Sequence, residues 1–142
     1  HRLGRKPYLM PGAAEMLDLL QGKVSLGYVT NGMKEVQRPR LEMIEWHLKF
    51  DVIVIAGEIG HSKPHRGYFE YVHREIGTPA LHEVLVVGDS LTADIEGAAT
   101  FGYHTCWYNP NGDPCRLDRK PDYTIRHMSD LQNILMSEPA AL

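Results

Sequence analysis

Two carboxylates five positions apart, Asp89 and Asp94, stand in the stretch VLVVGDSLTADIEGA over 84–98. Four apolar residues run into Gly88, and Asp89 follows directly, so the first acid is expected at the mouth of a strand and the second in the opening turn of a helix. Both side chains can then face one spot. Paired hard oxygen donors suit Mg²⁺, which keeps several waters and bridges to phosphate oxygens. The same residues also fit a structural role, Asp89 closing a turn and Asp94 complementing a helix N-terminus. Taken alone they leave both readings open. Thr30, Asn31 and Gly32 offer a hydroxyl, an amide and backbone N–H groups near a helix start, which is a cradle for an anion or an ordinary strand-to-helix turn. Lys63 lies in Gly-His-Ser-Lys-Pro. Pro64 stiffens that loop, and a compact ammonium there could offset a phosphate and a carboxylate or remain in water, the common fate of a single lysine.

The elements that must position these groups alternate along the chain. Helices are predicted over 11–22, over 34–48 with a break or entry at Pro39, over 65–77, over 92–102 up to Gly102, and over 128–136 with Ser129 or Asp130 as cap. Strands are predicted in KVSLGYVTNG, in DVIVIAGE and EVLVVGD as runs buried on both faces, and in YHTCWYN as a weaker, more polar strand. Residues 109–122, with three prolines and a glycine, read as loop. Strand alternating with helix means an α/β fold, a parallel sheet covered by helices on both sides. In such sheets the working residues lie at the carboxyl ends of the strands, which is where VTNG, the SKP loop and GDSLTAD fall.

The chain of 142 residues suits one domain. Its net charge of −3 and its lack of a Lys/Arg stripe argue against a nucleic acid polymer as partner. The basic opening HRLGRKP reads as a solvated lead-in. No apolar run approaches a membrane span, and no signal-peptide pattern is present. Cys106 and Cys115 make no disulfide framework and are expected as free thiols in a reducing compartment, with the cytoplasm as default. His61 and His65 are four apart, but Pro64 between them disfavours a helix that would align them on a metal. The first residue is His, so the chain is expected to be a portion of a longer polypeptide.

VTNG, then SKP about thirty residues on, then GDSLTAD some twenty-five further, resembles in order and spacing the second, third and fourth motifs of the haloacid-dehalogenase superfamily of phosphatases. The resemblance covers nearly the whole chain, including FDVIVIAGEIGHSKP and GYHTCWYNP, and is nearest to small nucleotidases that hydrolyse nucleoside 5′-monophosphates. It implies a Rossmann-like, three-layer parallel sheet. It implies that Thr30 and the backbone at Asn31 and Gly32 hold the transferring phosphoryl group, that Lys63 offsets its charge and orients the nucleophile, and that Asp89 binds Mg²⁺ with Asp94 supporting it directly or through water. The family's nucleophile is the first acid of a D-x-D-x-T motif. The aspartates here are at 18, 51, 89, 94, 113, 118, 122 and 130, and no two are two positions apart. The motif is absent, as is the helical cap that follows it, and PYLMPGAAEML resembles the point where the chain returns from cap to core.

The expectation is therefore the carboxyl-terminal portion of a hydrolase core over residues 1–142, truncated at the family's central strand, which would lie between the strand ending at Thr30 and the strand ending at Asp89. The implied activity is Mg²⁺-dependent phosphomonoester hydrolysis through an aspartyl-phosphate, with this chain alone inactive. A phosphoglycolate or sugar phosphatase of the same superfamily is the alternative substrate class. A non-catalytic module binding phosphate, metal or a partner is the alternative outside enzymes.

Overall fold

The computed structural model describes residues 11–43, 45 and 48–137. The basic opening, Ile44, Trp46 and His47 lie outside them, and with them the expected lead-in, the start of the cap-to-core return and the end of the second predicted helix. The described chain alternates as the sequence predicts. Helix α1 (Ala13–Leu20) leads to strand β1 (Gly27–Thr30), α2 (Lys34–Met43), β2 (Val52–Ile55) and the one-turn α3 (Ala56–Ile59). Then come α4 (Arg66–Glu75), β3 (Leu85–Gly88), a π-helical turn (Leu91–Glu96) running into α5 (Gly97–Phe101), β4 (His104–Tyr108), β5 (Tyr123–Ile125) and α6 (Asp130–Ser137).

All strand pairs are parallel, but they form two sheets: β1 with β2, and β3–β4–β5 in that order. Among the described residues no ladder joins β1 to β3. This explains one departure from expectation. β3, read as buried on both faces, is half-buried along its whole length, because it has a strand neighbour only on the β4 side. The opposite correction applies to YHTCWYN. Its strand, β4, is the middle of the three-stranded sheet, and Thr105 through Tyr108 are all buried. Its polar groups tolerate burial because they are bonded: the Thr105 hydroxyl accepts from the Asp122 N–H at 3.1 Å, and the Trp107 indole N–H donates to a carbonyl at 3.0 Å. Strand β5 was not foreseen, and Pro39 sits inside α2 without breaking it.

The period of two in β3 divides its side chains between two cores. Val84 and Val86 face a cluster with Val54, Tyr68, Phe69, Val72, Ala98 and Tyr103, which belongs largely to α4, α5 and β2. Leu85 and Val87 face the other side, toward Met16 of α1, Cys106, Tyr108, Ile125 and Leu131 of α6. Helices thus cover both faces of the strands, giving the three layers expected of an α/β fold. α4 earns its place through amphipathicity: Tyr68, Phe69 and Val72 point inward while its charged residues stay out.

Candidate functional site

The carboxyl ends of β1, β2 and β3 come together through polar side chains. Asn31 follows β1 and Lys63 follows the β2–α3 unit, and the two bind reciprocally. The Lys63 N–H donates to Asn31 Oδ1 at 2.7 Å and Asn31 Nδ2 donates to the Lys63 carbonyl at 3.0 Å. This pairing copies one rung of a sheet ladder and fixes the Lys63 backbone. Lys63 Nζ then reaches inward, donating to the Val29 carbonyl at 3.2 Å and to Asp94 Oδ1 at 2.5 Å. The Lys63 and Asp94 side chains are only 8% and 10% exposed, so a buried ion pair spans the break between the two sheets.

Two local features put Asp94 there. The Ser90 carbonyl accepts from the N–H groups of both Asp94 and Ile95, at 3.0 and 3.1 Å, which widens the first turn into a π-turn. Single π-turns recur at functional positions because they redirect one side chain. Ser90 also caps this turn, its Oγ accepting from the Ala93 N–H at 3.1 Å. The second feature is Gly88, where a Cβ would lie 2.4 Å from Asp94 Oδ2. No side chain other than hydrogen leaves room for that carboxylate. Asp94 Oδ2 accepts from the Ser90 N–H at 3.2 Å.

On the β1 side, the Thr30 hydroxyl accepts from the Gly32 N–H at 3.1 Å, forming a small turn. The Tyr68 hydroxyl, fully buried, lies 2.8 Å from the Val54 carbonyl and 3.2 Å from the Thr30 carbonyl, so one proton ties the ends of β1 and β2. Burial pushes the Tyr68 phenol well above its ordinary pKa, and it stays a donor throughout the accessible pH range. The Gly57 N–H donates to the Gly32 carbonyl at 3.3 Å. Arg38 closes the outside with two bonds to Glu58, both 2.8 Å, and this pairing holds the Glu58 carboxyl below its ordinary pKa.

Asp89 lies one residue beyond β3 and is exposed. Among the described residues its carboxylate takes part in no hydrogen bond or ion pair, and only its backbone carbonyl is held, by Trp107. The donor set is thus one open carboxylate, Asp89, beside one committed carboxylate, Asp94. No cluster of three or more His, Cys, Asp or Glu is placed to enclose an ion among the described residues. One open carboxylate, Asp89, with a second, buried one in the turn that follows it fits a cation such as Mg²⁺, which takes few protein ligands and fills its shell with water and phosphate oxygens. This arrangement does not fit a closed site such as structural zinc requires.

Of the residues singled out from the sequence, Asn31, Lys63 and Asp94 are joined by direct bonds. Thr30 and Gly32 form the adjoining turn, and Asp89 enters through its neighbour Ser90. Sequence reasoning did not find Ser90, Tyr68, Gly57 or Trp107, whose parts depend on register and on turn geometry. A cleft of about 380 Å³ lined by residues including Lys23, Ser25, Lys49 and Asp51 opens at the other, amino-terminal end of β1 and β2. It is remote from these groups, so the candidate site is an open strand-end face rather than an enclosed cavity.

A three-layer α/β fold whose strand ends carry this lysine and these acids defines a class, and the comparisons agree with it. Residues 1–108 match the haloacid dehalogenase-like hydrolases, and the chain belongs to that family. It is 33% identical over 126 residues to the pyrimidine 5′-nucleotidase YjjG of Escherichia coli, covering 89% of this chain and 56% of that protein. It is 32% identical over 124 residues to the human N-acylneuraminate-9-phosphatase, covering 86% and 50% respectively. A magnesium-bound crystal structure of YfnB from Bacillus subtilis superposes with a TM-score of 0.84 at 37% identity, covering 87% of this chain and 54% of that one. The chain spans about half the length of the curated relatives it matches.

Proposed function

We propose that this chain supplies the phosphate-holding and metal-holding part of a Mg²⁺-dependent phosphomonoester hydrolase acting on nucleoside 5′-monophosphates. The observation that carries the reading is the Lys63–Asp94 ion pair, held between Asn31 on one side and Ser90 on the other. A buried cation fixed at converging strand ends is a preorganised electrostatic element, of the kind that stabilises charge developing in phosphoryl transfer.

Each residue takes a part that its position supports. The Thr30 hydroxyl and the backbone N–H groups at Asn31 and Gly32 would bind phosphoryl oxygens, Gly32 by giving up its bond to the Thr30 hydroxyl. Lys63 is oriented by the Asn31 clamp and offsets negative charge between phosphate and Asp94. Asp89, whose carboxylate is open, would hold the cation, and Asp94 would support it directly or through water. When bound, Mg²⁺ supplies charge neutralisation on the phosphate oxygens. The attacking aspartate of the family, which forms the aspartyl-phosphate, belongs to the D-x-D-x-T motif that this sequence lacks. The 142-residue chain alone is therefore inactive under this reading.

The nucleotide substrate rests on the similarity to YjjG. The 32% identity to the human N-acylneuraminate-9-phosphatase favours sugar phosphates as the second reading. The experiment is a paired assay of phosphate release. The 142-residue chain and a version extended upstream by its own coding sequence are each given UMP, dTMP and a sugar phosphate panel, with Mg²⁺ and with EDTA. The expected result is Mg²⁺-dependent release from nucleotides by the extended protein only. Turnover by the short chain would refute the assignment of the nucleophile. A preference for sugar phosphates would replace the substrate class, and inactivity of the extended protein on both would favour a binding module.

A further inference from the structure

We infer that Trp107 is a positioning residue for both acids of the site, acting through the peptide that joins Asp89 to Ser90. Residue 107 of β4 is in register with Gly88 of β3, so its side chain stands beside the point where β3 ends. The residue is 5% exposed, and its Nε1–H donates to the Asp89 carbonyl at 3.0 Å. The other polar end of the same peptide unit is the Ser90 N–H, which donates to Asp94 Oδ2 at 3.2 Å. A peptide is planar, with a barrier of about 18–20 kcal/mol to rotation about its C–N bond. Its carbonyl and its N–H therefore turn together. Trp107 pins one end, Asp94 the other, and the Cα of Asp89 is attached to the pinned plane.

Other groups at the site do not duplicate this. Lys63 holds Asp94 Oδ1 but not the loop. Ser90 Oγ is spent on the cap of the π-turn. Among the described residues the indole N–H is the sole hydrogen-bond partner of the Asp89 carbonyl. Phenylalanine at 107 would keep an aromatic ring against the sheet but could not donate. The Asp89 carbonyl would then turn toward water, the Ser90 N–H would leave Asp94, and the backbone that carries the Asp89 carboxylate would lose its anchor.

The inference rests on the reading of Asp89 as a Mg²⁺ ligand, and the test separates the two. Mg²⁺ is titrated calorimetrically into the 142-residue chain, Asp89→Asn and Trp107→Phe, with near-ultraviolet circular dichroism as the check on folding. The expected result is that Asp89→Asn abolishes Mg²⁺ binding and Trp107→Phe weakens it about tenfold, the lower range for groups that orient a metal ligand. Because replacing a core indole can unfold a chain, a second measurement leaves Trp107 in place. Its indole ¹⁵N–H signal, identified by Trp46→Phe, should move during the Mg²⁺ titration with the calorimetric midpoint and stay still in Asp89→Asn. Unchanged affinity in folded Trp107→Phe, or an indole signal that ignores bound Mg²⁺, overturns the role of Trp107 and leaves the metal reading intact. No Mg²⁺ binding by the unaltered chain, or binding indifferent to Asp89→Asn, overturns the metal reading and the inference with it.

Discussion

Lys63 and Asp94 hold each other where neither meets much water, and this makes each dependent on the other. Taking an ion pair out of solvent costs both partners their hydration, and the mutual attraction with its added hydrogen bonds offsets that cost only while both are present. Lys63 has the Val29 carbonyl besides Asp94, and Asp94 has the Ser90 N–H besides Lys63. Removing one charge strands the other. Lys63→Met should therefore destabilise the chain by about 3–5 kcal/mol, the range for breaking a buried pair. The double variant Lys63→Met/Asp94→Leu should recover a large part of that loss, because no buried charge is left. Urea unfolding of the single and double variants measures both effects, and purely additive losses would show that the pair is not coupled. By contrast Asn31 is exposed, and its bonds to the Lys63 backbone can pass to water. Asn31→Ala should cost only about 1 kcal/mol.

At the scale of elements, the site depends on two close approaches between backbone segments. One is Gly88 under Asp94. The other is Gly57, at the first turn of α3, where a Cβ would sit 2.9 Å from the Lys34 nitrogen and 3.2 Å from the Met33 Cα. These are backbone atoms at the start of α2 and cannot rotate away. Gly57→Ala should push the start of α2 outward, lengthen the Gly57–Gly32 hydrogen bond and strain the Arg38–Glu58 bridge, at a cost of about 1–3 kcal/mol, as for overpacking elsewhere. A fall in melting temperature, with faster amide exchange at Gly32 and Lys34, is the expected result. An alanine variant as stable as the parent would mean that α2 yields freely. The sequence made the strand-end acids legible, because an apolar run closed by Gly-Asp has a definite period and end. It also made α4 legible through its apolar face. It could not announce β5, which is three residues long and offers too little alternation to stand out from the loop before it. Nor could it announce the π-turn, since LTADIE carries no mark that one carbonyl will serve two N–H groups. The polarity of YHTCWYN marked it as a weaker strand, yet Thr105 and Trp107 carry their own partners with them into the centre of the sheet. Trp107 in particular has meaning only once β3 and β4 are in register.

Over the whole molecule the strands separate two cores, and each core buries a group that must stay protonated. Tyr103 is packed with Phe69 and Phe101 in the first, 2% exposed, and burial pushes its phenol up to about 12. Cys106 lies fully buried in the second, and burial, followed by the nearby Asp130 carboxylate, pushes its thiol up to about 12. In the unfolded chain these groups ionise near their ordinary values of 10.0 and 9.0. The folded values are the higher ones, so the unfolded state releases protons first. The stability that depends on the neutral forms is complete below about pH 9 and is lost as pH rises toward 12. Urea midpoints should thus be flat from pH 7 to 8.5 and fall steadily from pH 9 upward. Cys106→Ala should make the fall shallower even though it lowers the midpoint at neutral pH. The two thiols give an independent reading of the same fact. Cys115 is half-buried in the loop after β4, and should react with a thiol reagent at neutral pH in the folded chain. Cys106 should react only as unfolding exposes it, so its reaction rate should track the alkaline loss of stability rather than the thiolate fraction of a free cysteine. Equal reactivity of the two thiols at pH 7.5 would mean that the second core opens readily, and the alkaline fall would then have to be assigned to the first.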